Sequence, residues 1–182
     1  PAGLFDFITS GTFVSTYRDS GLSGSVNLSS VLAGNLINDY SSCFYGCKNI
    51  SSVSGQLRTS SNGTSLNYMF AGCSSMSSIS NDIGATNIKT CIYMFSNCSN
   101  LQSPCRITFR YVSGETINAY GFCNASGVSS LPSNMFSGTV GELFLGQAFY
   151  KCTNLSSISS GAFNYTTNGG TQCNEMFYGC TS

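Results

Sequence analysis

The sequence contains no histidine and very little charge. Seven basic and seven acidic residues cancel, and charged residues make up only 8% of the chain. Without histidine, the usual general base of a serine or cysteine nucleophile is missing, and so is a common nitrogen ligand of zinc. Without an excess of basic residues, no field gathers phosphates or coats an anionic membrane. We therefore expect no nucleic-acid partner and no cofactor.

Long hydrophobic runs are also missing. No stretch approaches the roughly 18 apolar residues that a membrane-spanning helix needs, so we expect no membrane span in this segment. Because charge is scarce, solubility must come from Ser, Thr, Asn and Gly. These residues hydrate without charge and are common on proteins that work outside cells.

What the sequence has instead is a repeated motif, an aromatic residue followed three positions later by a cysteine. The pairs are Phe44 and Cys47, Phe70 and Cys73, Phe95 and Cys98, Tyr120 and Cys123, Phe149 and Cys152, and Phe177 and Cys180. We call these two sites the aromatic position and the cysteine position. The cysteines recur at intervals of about 25 to 29 residues, a period typical of a stacked array. The sequence therefore predicts a solenoid in which each repeat, or rung, packs on its neighbours.

Within a rung, apolar residues stand four and one positions before the aromatic, at it, and three after it. Leu66, Met69, Phe70 and Cys73 show this spacing, which is that of one face of a short helix or 3-10 turn. Segments such as 79–83 and 107–112 alternate like strands. The prediction is an α/β solenoid, a leucine-rich-repeat-like array with one short parallel strand plus one short helix or 3-10 turn per rung.

The repeats divide the chain unevenly. Residues 1–40 follow the scheme poorly and are predicted to form a degenerate N-terminal repeat or cap, whereas residues 41–182 hold five to six rungs. The last residues, 176–182, stop inside the motif. We therefore expect a segment of a longer protein.

Ten cysteines in a small secreted chain would suggest a disulfide scaffold. Their placement favours another interpretation, because six of them hold one register and should stack as a buried ladder. Cys43, Cys91 and Cys173 also stand at core positions, and Cys105 has no assigned register. We expect most thiols to be free and buried, with a stray bridge left open. With no CxxC pair and no histidine, no metal site is predicted.

Catalysis by carboxylates would need two of them close together in a groove. The available residues are Asp6, Asp19, Asp39, Asp82, Glu115, Glu142 and Glu175. No two of the glutamates share a register in adjacent rungs, so solvated loop positions are the preferred interpretation. We predict no enzyme and no catalytic residues.

Tyrosine recurs on the side of the expected helix that faces away from the core. The residues one after and two before the aromatic position lie about 60° apart on a helix. They include Tyr45, Tyr68, Tyr93, Tyr150 and Tyr178. We call these five the tyrosine ridge, a candidate recognition surface, since amphipathic rings stack on sugars and anchor protein partners. The alternative is that the rings lie flat over neighbouring rungs and only shield the core.

The motif itself resembles a known family. Met69-Phe-Ala-Gly-Cys-Ser-Ser-Met-Ser-Ser-Ile79 and Ala148-Phe-Tyr-Lys-Cys-Thr-Asn-Leu-Ser-Ser-Ile158 look like BspA-type leucine-rich repeats and the related 26-residue repeats of bacterial surface proteins. The resemblance covers roughly residues 40–182. It implies a right-handed solenoid with a parallel sheet on one side, adhesive in role, on bacterial or protist surfaces or in viral tail fibres. Because the shared motif is structural, it carries over no binding residues.

These observations predict a non-enzymatic, surface-exposed recognition or adhesion module. Its partner would be a protein or glycan on a host or neighbouring cell surface, and its location extracellular or on the cell surface. The first alternative is a structural component of a virion or extracellular assembly, on the virion surface, with homo-oligomers or larger assemblies formed through the open repeat ends. The second is a polysaccharide-active enzyme.

Overall fold

The repeats coil into a parallel β-solenoid of about six turns, as seen in a computed structural model that describes residues 11–32, 36–110 and 115–182. The predicted solenoid is confirmed. The short helix or 3-10 turn predicted in each rung is not observed as a helix, because the only helix among the described residues is α1, Leu28–Val31. Each rung instead contributes two or three short strands.

The strands are short and lie on three sides of the coil. They are β1 Gly11–Thr12, β2 Ser23–Asn27, β3 Ile37–Asp39, β4 Asn49–Ser54, β5 Thr64–Ser65, β6 Ser78–Ile79, β7 Ile88–Thr90, β8 Ile107–Phe109, β9 Thr116–Asn118, β10 Ser130–Leu131, β11 Phe136–Val140, β12 Glu142–Phe144, β13 Ser157–Ile158, β14 Phe163–Thr167 and β15 Thr171–Gln172. The predicted strand at 107–112 is observed as β8, and its residues 111 and 112 lie outside the described residues. The predicted strand at 79–83 is wrong beyond Ile79, because β6 ends there.

All strand pairs are parallel, as stacking of equivalent segments requires. The largest sheet runs β1-β3-β5-β7 and then divides, one arm continuing β8-β11-β14 and the other β9-β12-β15. A second face is built from β2-β4-β6 and from β10-β13. Register is set by equivalent residues, as in the pairing of Phe136 with Phe163 and of Leu131 with Ile158. Equivalent side chains of successive rungs therefore lie directly above one another.

A six-residue turn takes the place of the predicted helix in every rung. The turns cover residues 14–19, 41–46, 67–72, 92–97, 120–125, 146–151 and 174–179. In the third turn the amides of Met69 and Ala71 donate to the carbonyl three residues earlier, while those of Tyr68 and Phe70 donate to the next rung. Alternate amides thus join neighbouring rungs, which an α-helix could not allow, because its amides bond within the helix.

Aromatic rings from successive turns stack into a column through the core. Ring centroids lie 5.3 Å apart between Tyr17 and Phe44, 5.5 Å between Phe44 and Phe70, and 5.6 Å between Phe70 and Phe95, and these pairs are nearly parallel. Beside the column, side chains four and one positions before the aromatic are also buried, among them Leu66 and Met69. The core is therefore a continuous apolar ribbon along the axis.

In the fifth turn, the predicted placement of Tyr120 at the aromatic position and of Cys123 at the cysteine position is wrong. The Phe95 amide donates to the Phe122 carbonyl, as the Phe70 amide does to the Met94 carbonyl one rung earlier. Cys123 therefore occupies the aromatic position and Ser126 the cysteine position, so the motif is shifted by three residues. Tyr120 lies in the turn and is half-buried rather than part of the column.

Two other rings continue the column where Cys123 leaves a gap. Phe122 packs edge-on against Phe95 at 5.3 Å, and Phe136 of β11 packs against Phe122 at 5.0 Å. Phe149 then follows Phe136 at 6.4 Å and stacks on Phe177 at 5.4 Å. Phe122 and Phe136 thus fill the space that the small Cys123 side chain leaves, and the column of rings is continuous there.

The cysteine position forms a ladder of thiols bonded to backbone carbonyls. Each thiol donates to the carbonyl at the aromatic position of the preceding rung, at 2.9 Å from Cys47 to Tyr17, 3.1 Å from Cys73 to Phe44 and 3.0 Å from Cys152 to Cys123. Cys98 and Cys180 repeat the contact at 3.1 Å. All ten cysteines lie in the described part of the chain as free thiols, and eight of them are buried.

The described part of the N-terminal region packs as a further rung. Phe13 stacks on Tyr40 with ring centroids 5.8 Å apart, and Ser20 stands at the cysteine position, its hydroxyl 3.4 Å from the Cys47 sulfur. β1 pairs with β3, and β2 with β4. Residues 1–10 and 33–35 of the predicted cap region lie outside the described residues.

Candidate functional site

The tyrosine ridge lies on the turns, at one corner of the coil. Tyr68 and Tyr178 are exposed, at 39% and 61% of their surface, while Tyr45, Tyr93 and Tyr150 are half-buried. For Tyr68 and Tyr93 the turn conformation explains this placement, because the residue two before the aromatic position has a positive φ. A left-handed residue in a tight turn directs its side chain out of the rung instead of into the core.

The rings of the ridge associate in two groups. Tyr68 stacks on Tyr93 with centroids 5.5 Å apart, and Tyr93 meets the edge of Tyr120 at 5.6 Å. Tyr150 stacks on Tyr178 at 5.3 Å, near the C-terminal end of the solenoid. Tyr120 therefore belongs to the surface group. Sequence reasoning missed it because the aromatic-cysteine spacing matched the motif by coincidence. The unusual spacing of the apolar residues after Cys123 could have revealed that the motif is shifted in this rung.

Glycines in the neighbouring rung make room for these rings. A side chain at Gly121 would overlap the Tyr93 ring, and a Cβ at Gly146 would lie 3.0 Å from the Tyr120 ring. Tyr93 and Tyr120 thus lie across the backbone of the next rung, as the shielding interpretation expects. The rings are held in place by this packing, and part of each surface stays accessible.

A cleft of about 230 Å³ opens between Tyr45 and the stacked pair of Tyr68 and Tyr93. Its lining consists of Tyr45, Tyr68, Ala71, Gly72, Tyr93, Ser96 and Asn97. Three rings therefore surround a floor of small residues, with polar atoms contributed by Ser96 and Asn97. The Asn97 amide donates to the Ser96 hydroxyl at 3.2 Å. This arrangement can bind a small ring through stacking and hydrogen bonds.

Two cations lie over ridge rings outside this cleft. The Arg18 guanidinium is 4.3 Å from the Tyr45 ring centre, and the Lys151 ammonium is 5.1 Å from the Tyr150 ring centre. Within the first group, partial burial raises the pKa of Tyr93, and the neighbouring Tyr120 hydroxyl raises it further. The Tyr93 hydroxyl is therefore neutral at physiological pH and can donate or accept a hydrogen bond.

Most of the carboxylates that could have suggested catalysis have local partners. Asp39 accepts the Ser41 amide at 2.8 Å, and Asp82 accepts the Gly84 amide at 2.8 Å. Glu142 accepts from Thr116 at 3.1 Å, and Glu175 from Gln147 at 2.7 Å. These contacts are those of turns and rung-to-rung ladders. Asp6 lies outside the described residues.

Comparison with protein-family models, with curated proteins and with solved structures found no match.

The described residues contain neither a metal-binding cluster nor a membrane-spanning helix. Within residues 11–32, 36–110 and 115–182, no three side chains of Cys, Asp or Glu converge as metal ligands. Nor does any helix in those ranges have the length and apolar character that crossing a bilayer requires. Eight of the ten cysteines are instead buried as core thiols, whereas Cys173, predicted at a core position, is exposed. Burial raises the pKa of Cys73 to about 12.

A polar groove on a third side of the coil was not predicted. Two adjoining depressions of about 410 and 660 Å³ share Asp82 and Thr86. Hydroxyls of successive rungs bond along this side, with Thr59 and Thr86 3.1 Å apart and Thr108 and Ser137 3.2 Å apart. Since these polar groups satisfy one another, their contacts account for the arrangement as rung-to-rung stabilisation.

Proposed function

We propose that this chain is a non-enzymatic recognition or adhesion module that binds a protein or glycan partner through the tyrosine ridge. The observation that carries the proposal is the cleft walled by Tyr45, Tyr68 and Tyr93, in which Tyr93 stacks on Tyr68 and also contacts Tyr120. These rings could have been scattered over the solenoid. Large amphipathic rings give much contact area at low conformational cost, and they are enriched where proteins bind partners.

The surface chemistry supports the same function. Only 8% of the residues are charged, so an interface on this protein would rely on stacking, shape and neutral hydrogen bonds. Neutral, hydroxyl-rich partners such as glycans and glycoproteins suit such a surface. The resemblance to BspA-type surface repeats points in the same direction, and with it we propose an extracellular or cell-surface location.

The test is binding to immobilised glycoproteins and extracellular-matrix proteins. We compare the wild type with Y45S/Y68S/Y93S, and separately with Y150S/Y178S. Far-ultraviolet circular dichroism checks that both variants keep the fold. We expect the first variant to lose binding at least tenfold, because it removes all three walls of the cleft. Equal binding of both variants and the wild type to every partner would refute the ridge as the recognition surface.

One observation favours a second candidate, a structural role in a virion or extracellular assembly. In the described part of the chain, β13, β14 and β15 each pair on one side only, and Ile158 and Phe177 beside them are 50% and 37% exposed. Unpaired parallel edges with apolar side chains favour end-to-end association. Analytical ultracentrifugation of the wild type and of I158D/F177D tests this. Concentration-dependent assembly that the double variant abolishes would support it, and a monomer at all concentrations would contradict it.

A further inference from the structure

We infer that the cleft between Tyr45, Tyr68 and Tyr93 binds a single neutral sugar ring, an inference that rests on the proposed recognition function. The juxtaposition that carries it is three tyrosine rings around a floor of Ala71, Gly72 and Ser96, with Asn97 at the side. No lining residue is charged. The inferred ligand is an uncharged hexopyranose unit of a glycan.

The size of the cleft selects a small ligand. At about 230 Å³ it is smaller than the sites of about 300–1,000 Å³ that enclose drug-sized molecules. A single six-membered ring with its hydroxyls suits this volume, whereas an oligosaccharide or an extended peptide does not. A longer glycan would place one unit in the cleft and the rest on the surface outside.

The walls suit the apolar face of a sugar. Pyranose rings present C–H groups on their faces and hydroxyls around their rims. The tyrosine faces provide apolar, polarisable surface for the C–H groups, while the tyrosine hydroxyls, Ser96 and Asn97 can exchange hydrogen bonds with the rim. The Tyr93 hydroxyl is protonated, as a phenol is at neutral pH, and burial and Tyr120 raise its pKa further, so it can act as donor or acceptor.

Charge separates a sugar from the other ligand that aromatic walls attract. A cage of tyrosines also suits quaternary ammonium groups, through cation–π attraction. Here the Arg18 guanidinium already lies 4.3 Å from the Tyr45 ring centre, and the seven lining residues include no carboxylate. That guanidinium is paired with Asp19, Nε to Oδ2 at 3.4 Å, so no unbalanced charge lies beside the cleft to hold either a cation or an anion. Of cationic, anionic and uncharged ligands, the cleft therefore suits the uncharged one.

The walls are also held before any ligand arrives. Tyr93 lies across Gly121 and stacks on Tyr68, and its edge contact with Tyr120 is supported in turn by the packing of Tyr120 on Gly146. Rings that are already ordered lose little conformational entropy on binding. This reduces the cost that usually keeps single-sugar sites weak.

The experiment is a titration of the whole chain with three neutral probes, methyl β-D-glucopyranoside, methyl β-D-galactopyranoside and N-acetylglucosamine. Tyrosine ring signals are followed by NMR. We expect saturable millimolar binding of at least one probe, with shifts confined to Tyr45, Tyr68 and Tyr93. Glucuronic acid, glucosamine and choline test the charge argument, and each should bind at least tenfold more weakly. A proline-rich peptide tests the alternative of a protein partner.

Variants then assign the binding to the rings. Y68S and Y93S should weaken sugar binding about tenfold or more, while Y68F, which keeps the ring, should lose less than about threefold. V14S, which changes an exposed apolar residue on the first turn, is the off-site control and should bind like the wild type. Thermal unfolding checks that each variant is folded.

The outcomes separate this inference from the proposed function. If no neutral sugar binds, or if Y68S binds sugar as the wild type does, the inference is wrong. Preferential binding of choline or of the proline-rich peptide overturns it as well. In any of these cases, ridge-dependent binding to the immobilised glycoproteins and matrix proteins would leave the recognition function standing. If that binding is also independent of the ridge, both are wrong.

Discussion

The thiol ladder shows why a cysteine, rather than another small apolar residue, stands at the repeat's cysteine position. The carbonyl at the aromatic position accepts two hydrogen bonds. For Phe44 these come from the Cys47 amide in the same rung and the Cys73 thiol in the next, both at 3.1 Å. Cysteine is small enough for the stacked core and still supplies a donor. Ser20 and Ser126 stand at the equivalent position in two other rungs, where a hydroxyl can provide the same donor.

This role predicts an unusual order of stability for substitutions at Cys73. Ser and Ala have nearly the same volume, and in a buried apolar site Ser is normally the worse of the two, because its hydroxyl loses hydration. At Cys73 the hydroxyl keeps the bond to the Phe44 carbonyl. We therefore expect C73S to equal or exceed C73A in free energy of unfolding, measured with urea, by up to about 1 kcal/mol.

Cys91 supplies the matched control. It is equally buried, but its thiol has no hydrogen bond among those of the described residues, and burial raises its pKa well above the ordinary value. Here C91S should be less stable than C91A by about 1–3 kcal/mol. If C73S is also less stable than C73A by that amount, the thiol-to-carbonyl bond contributes nothing.

At the scale of the element, the turn explains why the helix prediction failed. Leu66, Met69, Phe70 and Cys73 have the spacing of a helix face, and all four are fully buried. Consecutive turns closed by bonds between residues three apart give the same inward spacing. The two structures differ in the remaining amides, which bond to the next rung. Whether those partners exist depends on stacking, which the spacing alone cannot show.

The turns also require left-handed residues at two fixed places. One is two before the aromatic position, as at Gly121 with φ +61°, and the other two after it, as at Gly72 with φ +75°. Glycine adopts such angles without strain, whereas other residues are strained there. Ala125 has φ +51° at the second place, where Gly46, Gly72 and Gly179 stand in other rungs.

The strain of a non-glycine residue at these places predicts different effects on stability for two substitutions within the fifth turn. G121A should lower the free energy of unfolding by at least about 1 kcal/mol, because alanine is strained at this φ and its methyl overlaps the Tyr93 ring. A125G should be neutral or slightly stabilising, since relief of strain offsets the greater freedom of the unfolded chain. Urea unfolding measures both. A G121A protein as stable as the wild type would show that the turn and the ring readily move apart.

At the scale of the whole molecule, each rung contacts only its neighbours. Phe70 lies between Phe44 and Phe95, at 5.5 and 5.6 Å, and is fully buried. Phe177, in the last described turn, stacks on Phe149 at 5.4 Å and is 37% exposed. In a quasi-one-dimensional array, the cost of removing a ring should depend on whether a rung follows it.

The same substitution should therefore have unequal effects along the column. F70A should cost about 3–5 kcal/mol, because it leaves a cavity between two rings. F177A should cost about 1–2 kcal/mol, because its ring is already partly in contact with water. Urea unfolding monitored by circular dichroism gives both values. Equal costs would mean that something covers the last rung, and sedimentation of the wild type would then reveal an assembled species.

The sequence by itself determined the solenoid, its period and most of the core. These features follow from a short-range spacing that is repeated many times. The repeat can therefore be recognised even though one rung is irregular. Tertiary structure alone decided that turns replace helices, that Cys123 occupies the aromatic position, and that Tyr120 joins Tyr68 and Tyr93 at the surface. The reason is that hydrogen bonds and ring contacts between rungs join residues far apart in sequence, for example 23 positions between Asn67 and Thr90 and 31 between Phe149 and Cys180. Their register depends on the stacked coil as a whole, and a local motif can match it by chance.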